Sequence, residues 1–161
     1  MHVSPRRFLR YAIAAALALS AAHTTRGDDE HALARSPLPD AYREECGACH
    51  TPYAARLLPA ASWQRIMQGL ENHFGTNASL DAETTAELAA WLTAASGGAR
   101  RAGAAPPEDR ITRSGWFIDE HDDFRAVAFG RPAIGSAANC AACHTDADRG
   151  DFSERNIRIP R

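Results

Sequence analysis

The sequence contains four cysteines, and all four belong to two copies of the pattern C-x-x-C-H. The first copy spans residues 46–50 and the second spans residues 140–144. In this pattern the two thiols can form thioether bonds to the vinyl groups of one porphyrin, and the histidine that follows lies beneath the iron. The spacing therefore predicts two covalently attached c-type haems. The predicted attachment residues are Cys46, Cys49, Cys140 and Cys143, and the predicted proximal iron ligands are His50 and His144.

Three other uses of paired cysteines are a thioredoxin-like redox pair, a zinc site and a disulfide framework. A single C-x-x-C-H would be compatible with each of them. Here both cysteine pairs are followed at once by histidine, and no cysteine lies outside the two copies. None of the three alternatives requires that placement, so the pattern favours two haem sites.

The N-terminus has the three parts of a secretory signal peptide. Basic residues at 6–10 precede an apolar run at 11–19, and the small residues 20–22 follow. The apolar run is too short to cross a bilayer, which takes about 20 apolar residues. The sequence therefore predicts export, cleavage near Ala22 with loss of residues 1–22, and no stable membrane insertion afterwards; Gly27 is a later option for the cleavage. An uncleaved anchor is the alternative.

The charge of the chain excludes some classes of partner. All 18 basic residues are arginine, and the predicted signal peptide holds three of them and no acid. The predicted mature chain therefore has 15 basic and 20 acidic residues, a formal charge of −5. A negatively charged protein is a poor ligand for nucleic acid or for an anionic lipid surface. We expect a docking partner with a basic or neutral surface.

Composition divides the predicted mature chain into two haem units. Residues 23–39 are polar and interrupted by proline and predict an extended leader, whereas residues 96–109 are rich in glycine, alanine and proline and predict a linker. The N-terminal unit would span residues 40–95, and the C-terminal unit would span residues 110–161. The C-terminal unit has only 52 residues, which is too few for a stable polypeptide core alone. We therefore expect haem to fill that core and the chain without haem to be largely unfolded.

Periodicity and capping residues predict a mostly α-helical fold. Asp40 can cap a helix that runs into the first motif, Ser62 can cap a second helix, and Asp81 can cap a third over residues 82–95. The tail at residues 156–160 predicts a short extended strand. The second helix would carry one apolar stripe, whose members are Trp63, Ile66, Met67, Leu70 and Phe74.

Each iron has a second axial position, and the sequence offers few side chains to fill it. For the first haem, His73 lies at the predicted end of the second helix, before Phe74 and Gly75, where a loop can direct it at the iron. Met67 is an alternative ligand, although a methionine on an apolar stripe is more often core filling. An open position is another alternative, and His73 would then be a surface histidine that interacts with the helix dipole.

For the second haem, His121 is the only histidine of the C-terminal unit besides His144, and that unit contains no methionine. A low-spin iron needs a sixth ligand, so His121 is the predicted one. The acidic run around it, residues 119–123, also fits a solvated surface segment. His23 and His31 are further alternatives for either iron.

Several motifs together resemble the small exported dihaem cytochromes c of purple and related bacteria. The similarity covers nearly the whole predicted mature chain. It implies an N-terminal unit like a class I cytochrome c, an irregular C-terminal unit held together by its haem, and histidine on both sides of both irons. The motifs are the first C-x-x-C-H, the segment Trp63…Met67…His73-Phe74-Gly75, residues 77–81, the segment Trp116-Phe117…His121, and residues 139–144 near a C-terminal Ile-Arg-Ile-Pro.

The resemblance also implies a location and partners. Such proteins receive their haem outside the bacterial inner membrane, which implies the periplasm. The implied acceptor is a small oxygen-binding monohaem cytochrome, and the implied donor is a membrane cytochrome b. We therefore interpret the chain as a periplasmic electron carrier and not as an enzyme. The alternatives are a small dihaem peroxidase-like enzyme with one open iron and an electron-transfer subunit of a larger oxidoreductase.

Overall fold

Helices separated by short 3₁₀ turns form the part of the chain that the structure, a computed structural model, describes. That part comprises residues 38–97, 102–123 and 126–161. The helices are α1 (Asp40–Gly47), α2 (Ala60–Gln68), α3 (Ala82–Ala95), α4 (Gly115–Glu120) and α5 (Ala126–Phe129). The 3₁₀ turns are Ala55–Leu57, Leu70–Asn72, Pro107–Asp109, Ile111–Arg113, Cys140–Ala142, Ala147–Arg149 and Glu154–Asn156.

The predicted fold class, mostly α, is confirmed. Over the described residues, β pairing is confined to two isolated antiparallel bridges, His73 with Thr76 and His144 with Ile157. The tail therefore contributes one bridging residue where the sequence predicted a short strand. The predicted signal peptide, residues 1–22, lies outside the described part of the chain.

Proline moves the start of two predicted helices. α1 begins at Asp40 itself, directly after Pro39, and the Asp40 carboxylate pairs with Arg43 instead of capping the helix. α2 begins two residues before Ser62, because the carbonyl of Pro59 already accepts a hydrogen bond from the Ser62 amide at 3.0 Å. The capping roles predicted for Asp40 and Ser62 are therefore wrong. Proline suits both starts, since its φ is fixed and it has no amide hydrogen to satisfy.

α3 has the bounds that the sequence predicted, Ala82–Ala95. The carboxylate of Asp81 accepts a 2.9 Å hydrogen bond from the amide of Thr84. This bond satisfies one of the amides that a helix N-terminus leaves without an intrahelical partner. Leu88 and Leu92 are fully buried on the inner face of the helix.

The main apolar core lies where α1, α2 and α3 meet. Burial of a large apolar side chain contributes about 1.5–3 kcal/mol to folding, so this cluster is the main source of stability in the described N-terminal part. The predicted apolar stripe is wrong at Phe74, which is 46% exposed, because α2 ends at Gln68 and the chain turns before Phe74. The buried members of the core are Leu38, Tyr42, Ala55, Leu58, Trp63, Met67, Leu88 and Leu92.

Over its described residues, the C-terminal part has a much smaller apolar core. Its two helices, α4 and α5, have six and four residues. Two of the buried side chains are alanine, which contribute little apolar area. This sparse packing agrees with the expectation that haem fills the core of this part. Between residues 110 and 161, the buried apolar side chains of the described chain are Phe117, Ala128, Ile134 and Ala147.

Side chains connect the N-terminal part to the chain beyond residue 102. Arg65 on α2 pairs with Asp109 at 2.6 Å, and the indole nitrogen of Trp116 donates a 3.2 Å hydrogen bond to the carbonyl of Leu57. The predicted linker at 96–109 lies partly outside the described residues, and its described ends pack against the rest of the chain. The division into two units stays a prediction.

Candidate haem-binding sites

The first C-x-x-C-H lies at the C-terminal end of α1. Cys46 is half-buried against the apolar core in the last turn of the helix, and the chain then leaves the helix so that Cys49 and His50 are exposed. Tyr42, one turn earlier, is 2% exposed and anchors the helix. Its hydroxyl donates a 2.7 Å hydrogen bond to the carbonyl of Tyr53, in the segment after the motif. The buried Tyr42 therefore connects the helix before the motif to the segment after it.

The structure places His50 and His73 opposite each other. Their ring centres are 6.1 Å apart, and the ring planes differ by 21°. A metal–imidazole bond is about 2 Å long, so two imidazoles on opposite sides of one ion have ring centres roughly 6 Å apart. Nδ1 of His50 lies 2.7 Å from the carbonyl of Thr51. A carbonyl only accepts, so Nδ1 carries the proton and Nε2 is free to bind a metal.

A tight turn directs His73 toward His50. The amide of His73 donates to the carbonyl of Thr76 at 2.7 Å, and the amide of Thr76 donates back at 3.1 Å. The two residues between them, Phe74 and Gly75, have φ values of 51° and 98°. This region favours glycine and is uncommon for a bulky residue such as phenylalanine. The sequence predicted His73 at the end of the second helix, but α2 ends at Gln68 and His73 follows the 3₁₀ turn Leu70–Asn72, so its direction depends on this turn.

The alternative ligands for the first haem are placed differently. Met67 is 7% exposed and belongs to the apolar core. His23 and His31 lie outside the described residues. Among the candidates that the structure describes, His73 is the one that it places opposite His50. The ligand role of His73 stays a prediction.

The second C-x-x-C-H is held by the residues that follow it. Cys140 starts a 3₁₀ turn, and the amide of His144 donates to the Cys140 carbonyl at 2.8 Å. The amide of Arg158 donates to the carbonyl of Cys143 at 2.8 Å, and Ile157 forms a bridge with His144. The C-terminal tail thus fixes the backbone of the motif.

His121 lies opposite His144, with ring centres 6.3 Å apart and ring planes that differ by 68°. His121 directly follows α4, and its Nδ1 lies 2.9 Å from the carbonyl of Phe117 one turn earlier. Nδ1 therefore donates its proton there, and Nε2 is free to bind a metal. The ring also stacks on Phe117 at 4.1 Å. The orientation of the predicted sixth ligand is thus fixed by a hydrogen bond and a ring stack.

Nδ1 of His144 is buried and has no hydrogen-bond partner within the described part of the chain. A buried polar atom without a partner costs about 1–3 kcal/mol. His50 differs in this respect, since its Nδ1 has the Thr51 carbonyl.

The surroundings favour the neutral, metal-binding form of two of the histidines. Burial, and to a lesser extent the nearby His50, lowers the pKa of His73 below its ordinary value. Burial and then His121 lower the pKa of His144, and Asp151 opposes this shift. A neutral imidazole is the form that binds a metal ion.

Burial has the opposite effect on the cysteines. It raises the pKa of the Cys46 thiol to about 11, with a smaller contribution from Glu45, and it raises the pKa of the Cys140 thiol to about 11. A thioredoxin-like redox pair needs a thiolate, and its cysteine therefore has a lowered pKa. The electrostatics of the two motifs thus disfavour the redox-pair alternative.

Taken together, each cysteine pair has a proximal histidine and a second histidine opposite it. The residues present therefore fit two covalently held haems. Residues 42–152 match the family model for dihaem cytochrome c. The chain belongs to the dihaem cytochrome c family. It holds two c-type haems with iron and has an electron-carrying role.

Solved structures of the family resemble this chain. A dihaem cytochrome c from Shewanella baltica OS155 is 37% identical, with the alignment covering 76% of this chain and 95% of that one and a TM-score of 0.66. A dihaem cytochrome c from Rhodobacter sphaeroides is 38% identical, with coverage of 71% and 98% and a TM-score of 0.58. No curated protein sequence matches the chain. Across the described residues of this family member, no helix is long and apolar enough to span a membrane.

The ring contacts of two aromatic residues at the sites were not predicted from the sequence. Tyr53 stacks on His50, with ring centres 4.9 Å apart, and Phe117 stacks on His121. Phe117 precedes His121 by four residues, so both lie on one face of a helix, and this spacing could have indicated the contact. The contact of Tyr53 could not be inferred in this way, because Tyr53 lies in a segment without helix.

Proposed function

We propose that this chain carries electrons between redox proteins of the periplasm through two haems, each bound by two histidines. One observation carries the proposal: each proximal histidine has a second histidine roughly 6 Å away across a gap suited to a metal ion, His73 opposite His50 and His121 opposite His144. The bound haem iron supplies the one-electron chemistry. With imidazole on both sides of each iron, no axial position is left for a substrate.

The protein tunes both sites through its ligands and their hydrogen bonds. The imidazole hydrogens of His50 and His121 are held by the carbonyls of Thr51 and Phe117. Such bonds fix the ring orientation and make the ligand nitrogen more basic. Methionine ligation raises a haem potential, so two histidines favour a lower one. The chain is therefore suited to donate electrons at low potential.

The periplasmic location and the partners are proposed from the sequence. The predicted signal peptide, residues 1–22, supports export. The proposed acceptor is a small oxygen-binding monohaem cytochrome, and the proposed donor is a membrane cytochrome b. Both are proposed from the family resemblance, and the formal charge of −5 on the predicted mature chain adds that their docking surfaces are basic or neutral.

The spectrum of the purified protein with both haems attached tests the ligation. We expect two low-spin ferric signals, no methionine–sulfur band, and no binding of carbon monoxide by the reduced protein. A high-spin signal, or one carbon monoxide bound per chain, would contradict the proposal and favour the peroxidase-like alternative.

Salt dependence tests the docking surface. The exposed acids Asp119, Glu120, Asp122 and Asp123 flank His121. If a partner docks here, the second-order rate of electron transfer should fall as salt rises, because surface attraction is screened over about 8–10 Å at ordinary ionic strength. The variant D119N/E120Q should lower that rate at low salt.

A charge-matched control is E83Q/E87Q, which removes two exposed acids from α3. This variant should leave the rate near that of the natural chain. Equal effects of the two variants would show that net charge matters and not the acids beside His121. If neither salt nor substitution changes the electron-transfer rate, these acids are a solvated surface segment and do not contact the partner.

A further inference from the structure

Tyr53 contacts both haem sites. It follows His50 by three residues, and its ring stacks on the His50 imidazole, with centres 4.9 Å apart and planes that differ by 21°. The stack covers a face of the imidazole and leaves its edge nitrogens to Thr51 and to a metal ion. The ring of Tyr53 therefore restricts the rotation of the His50 imidazole, the predicted proximal ligand of the first haem.

The other end of the same side chain reaches the second site. The Tyr53 hydroxyl donates a 2.8 Å hydrogen bond to the carbonyl of Ala138, which precedes Cys140 by two residues. Tyr53 therefore connects the first proximal histidine to the attachment loop of the second haem.

The backbone of Tyr53 is itself held by the core. The hydroxyl of Tyr42 donates to the Tyr53 carbonyl at 2.7 Å, and Tyr42 is 2% exposed in α1. The ring of Tyr42 also contacts Trp91 on α3, with ring centres 4.8 Å apart. A residue held at its backbone, its ring and its hydroxyl has little freedom to move, so it can transmit a fixed spacing between the groups that it contacts.

We propose that Tyr53 is a positioning residue for electron exchange between the two haems. It fixes the imidazole plane of His50 and holds the second attachment loop at a set distance from it. With both haems bound, the exchange would move one electron from the ferrous haem of one site to the ferric haem of the other. Tyr53 keeps its own electrons and its proton. Because the rate of electron tunnelling falls steeply with distance, a loop that moves away slows the exchange. This inference rests on the proposed electron-carrying function.

Two substitutions of Tyr53 separate its two contacts. Tyr53→Phe keeps the ring stack and removes the hydroxyl, whereas Tyr53→Leu removes both. The experiment reduces the dihaem protein by one electron in a fast pulse and follows the redistribution of that electron between the haems. For Tyr53→Phe we expect the rate to fall by at most roughly fivefold, because the loss of one hydrogen bond of about 1 kcal/mol changes the equilibrium constant for loop opening by that factor. Its ferric electron paramagnetic resonance spectrum should stay unchanged.

Tyr53→Leu should slow the exchange at least as much and should also shift one of the two ferric low-spin signals. That signal belongs to the first site, because the His50 plane is no longer fixed. The matched control is Trp116→Phe, which removes another hydrogen bond between the N-terminal part and the C-terminal part, the one to the Leu57 carbonyl, and keeps an aromatic ring beside Phe117. It should change neither the rate nor the first-site signal.

Equal slowing by Tyr53→Phe and Trp116→Phe would overturn the proposal. It would show that the loss of any hydrogen bond between the two parts slows the exchange. An unchanged rate in Tyr53→Phe would overturn it as well, and that variant keeps its ring and is expected to fold. Carbon monoxide binding by the natural reduced protein would instead contradict the proposed function, so the two failures are distinguishable.

Discussion

The two haem sites are built from the same motif but are held in different ways. At the first site, α1 carries the cysteine pair out of an apolar core, and a turn with two positive φ values directs His73. At the second site, the tail holds the motif, and a ring stack with Phe117 directs His121. The first pair of rings is close to parallel, at 21°, and the second is closer to perpendicular, at 68°.

The difference shows how little protein is needed to hold a haem that is covalently attached. The first site uses a core of several large apolar side chains, and the second has mainly Phe117 and Ile134 in that role over its described residues. A short segment with so few buried side chains cannot offset the entropy of ordering its backbone. The haem at the second site is therefore expected to be structural as well as functional.

Removal of the attachment cysteines should give the largest difference between the two sites, measured as the loss of amide protection. In C140S/C143S we expect residues 110–161 to lose most of their amide protection, because the covalent haem supplies most of their apolar contacts. In C46S/C49S we expect α2 and α3 to keep a substantial part of theirs, since Leu88 and Leu92 pack without the haem. Hydrogen exchange followed by mass spectrometry measures both, and the mass of each variant reports one haem fewer.

Substitution of the distal histidines should have the next largest effect. His73→Ala and His121→Ala should each open one iron, so that the reduced protein binds one carbon monoxide per chain. His121→Ala should also lower the free energy of unfolding by about 0.5–1.5 kcal/mol more, because it removes the stack on Phe117. His73→Met should raise the potential of the first haem.

Carbon monoxide titration, thermal unfolding and potentiometry measure these effects. An unchanged spectrum in His73→Ala would transfer the sixth-ligand role at the first haem to Met67, His23 or His31.

The aromatic neighbours of the distal histidines give a finer comparison. Phe117 is buried and stacked on His121, whereas Phe74 is 46% exposed and meets His73 edge-on, with ring centres 4.8 Å apart. Phe117→Leu should cost about 1–2 kcal/mol of stability and shift only the second ferric signal. Phe74→Leu should change stability by about 0.5 kcal/mol or less. Similar shifts in both variants would show that the two distal histidines are held equally.

The smallest expected effect concerns the ion pair of Arg65 and Asp109, which connects the N-terminal part to the chain beyond it. A hydrogen bond from Arg65 lowers the pKa of Asp109 below its ordinary value of 3.8, with smaller contributions from Ser62 and the Arg65 charge. The pair therefore stabilises the fold fully above pH 3.8, and this contribution is lost as the pH falls through the lowered pKa.

The effect should be small, because Arg65 is half exposed. Thermal unfolding between neutral and acidic pH measures it, and Asp109→Asn should reduce the loss of stability in acid. An identical acid dependence in the natural chain and in the Asp109→Asn variant would remove this pair as a source of it.

Local signals made much of the fold predictable. Each C-x-x-C-H copy is a continuous stretch of five residues, so the cysteine pairs could be predicted. The cap at Asp81 acts within one turn, so α3 could be predicted as well. His73 and His121 could be proposed because few other ligands exist in the chain. The geometry places each opposite a proximal histidine, and their ligand roles stay predictions.

Features that depend on distant residues or on tight turns could not be predicted. The spacing of Phe74 continues the apolar stripe of α2, but the helix ends first and a turn with positive φ leaves the ring exposed. The contact of Tyr53 with Ala138 joins residues 85 positions apart. No periodicity of the sequence encodes such a contact, and the same holds for the angle between two imidazole planes.

Residues 156–158 follow the second motif in the chain and are therefore synthesised after it. The amide of Thr145 donates to the Asn156 carbonyl at 3.0 Å, and the amide of Arg158 donates to the Cys143 carbonyl. Both bonds require the tail to fold back onto the motif. We expect them to be open during haem attachment and to close on the finished product.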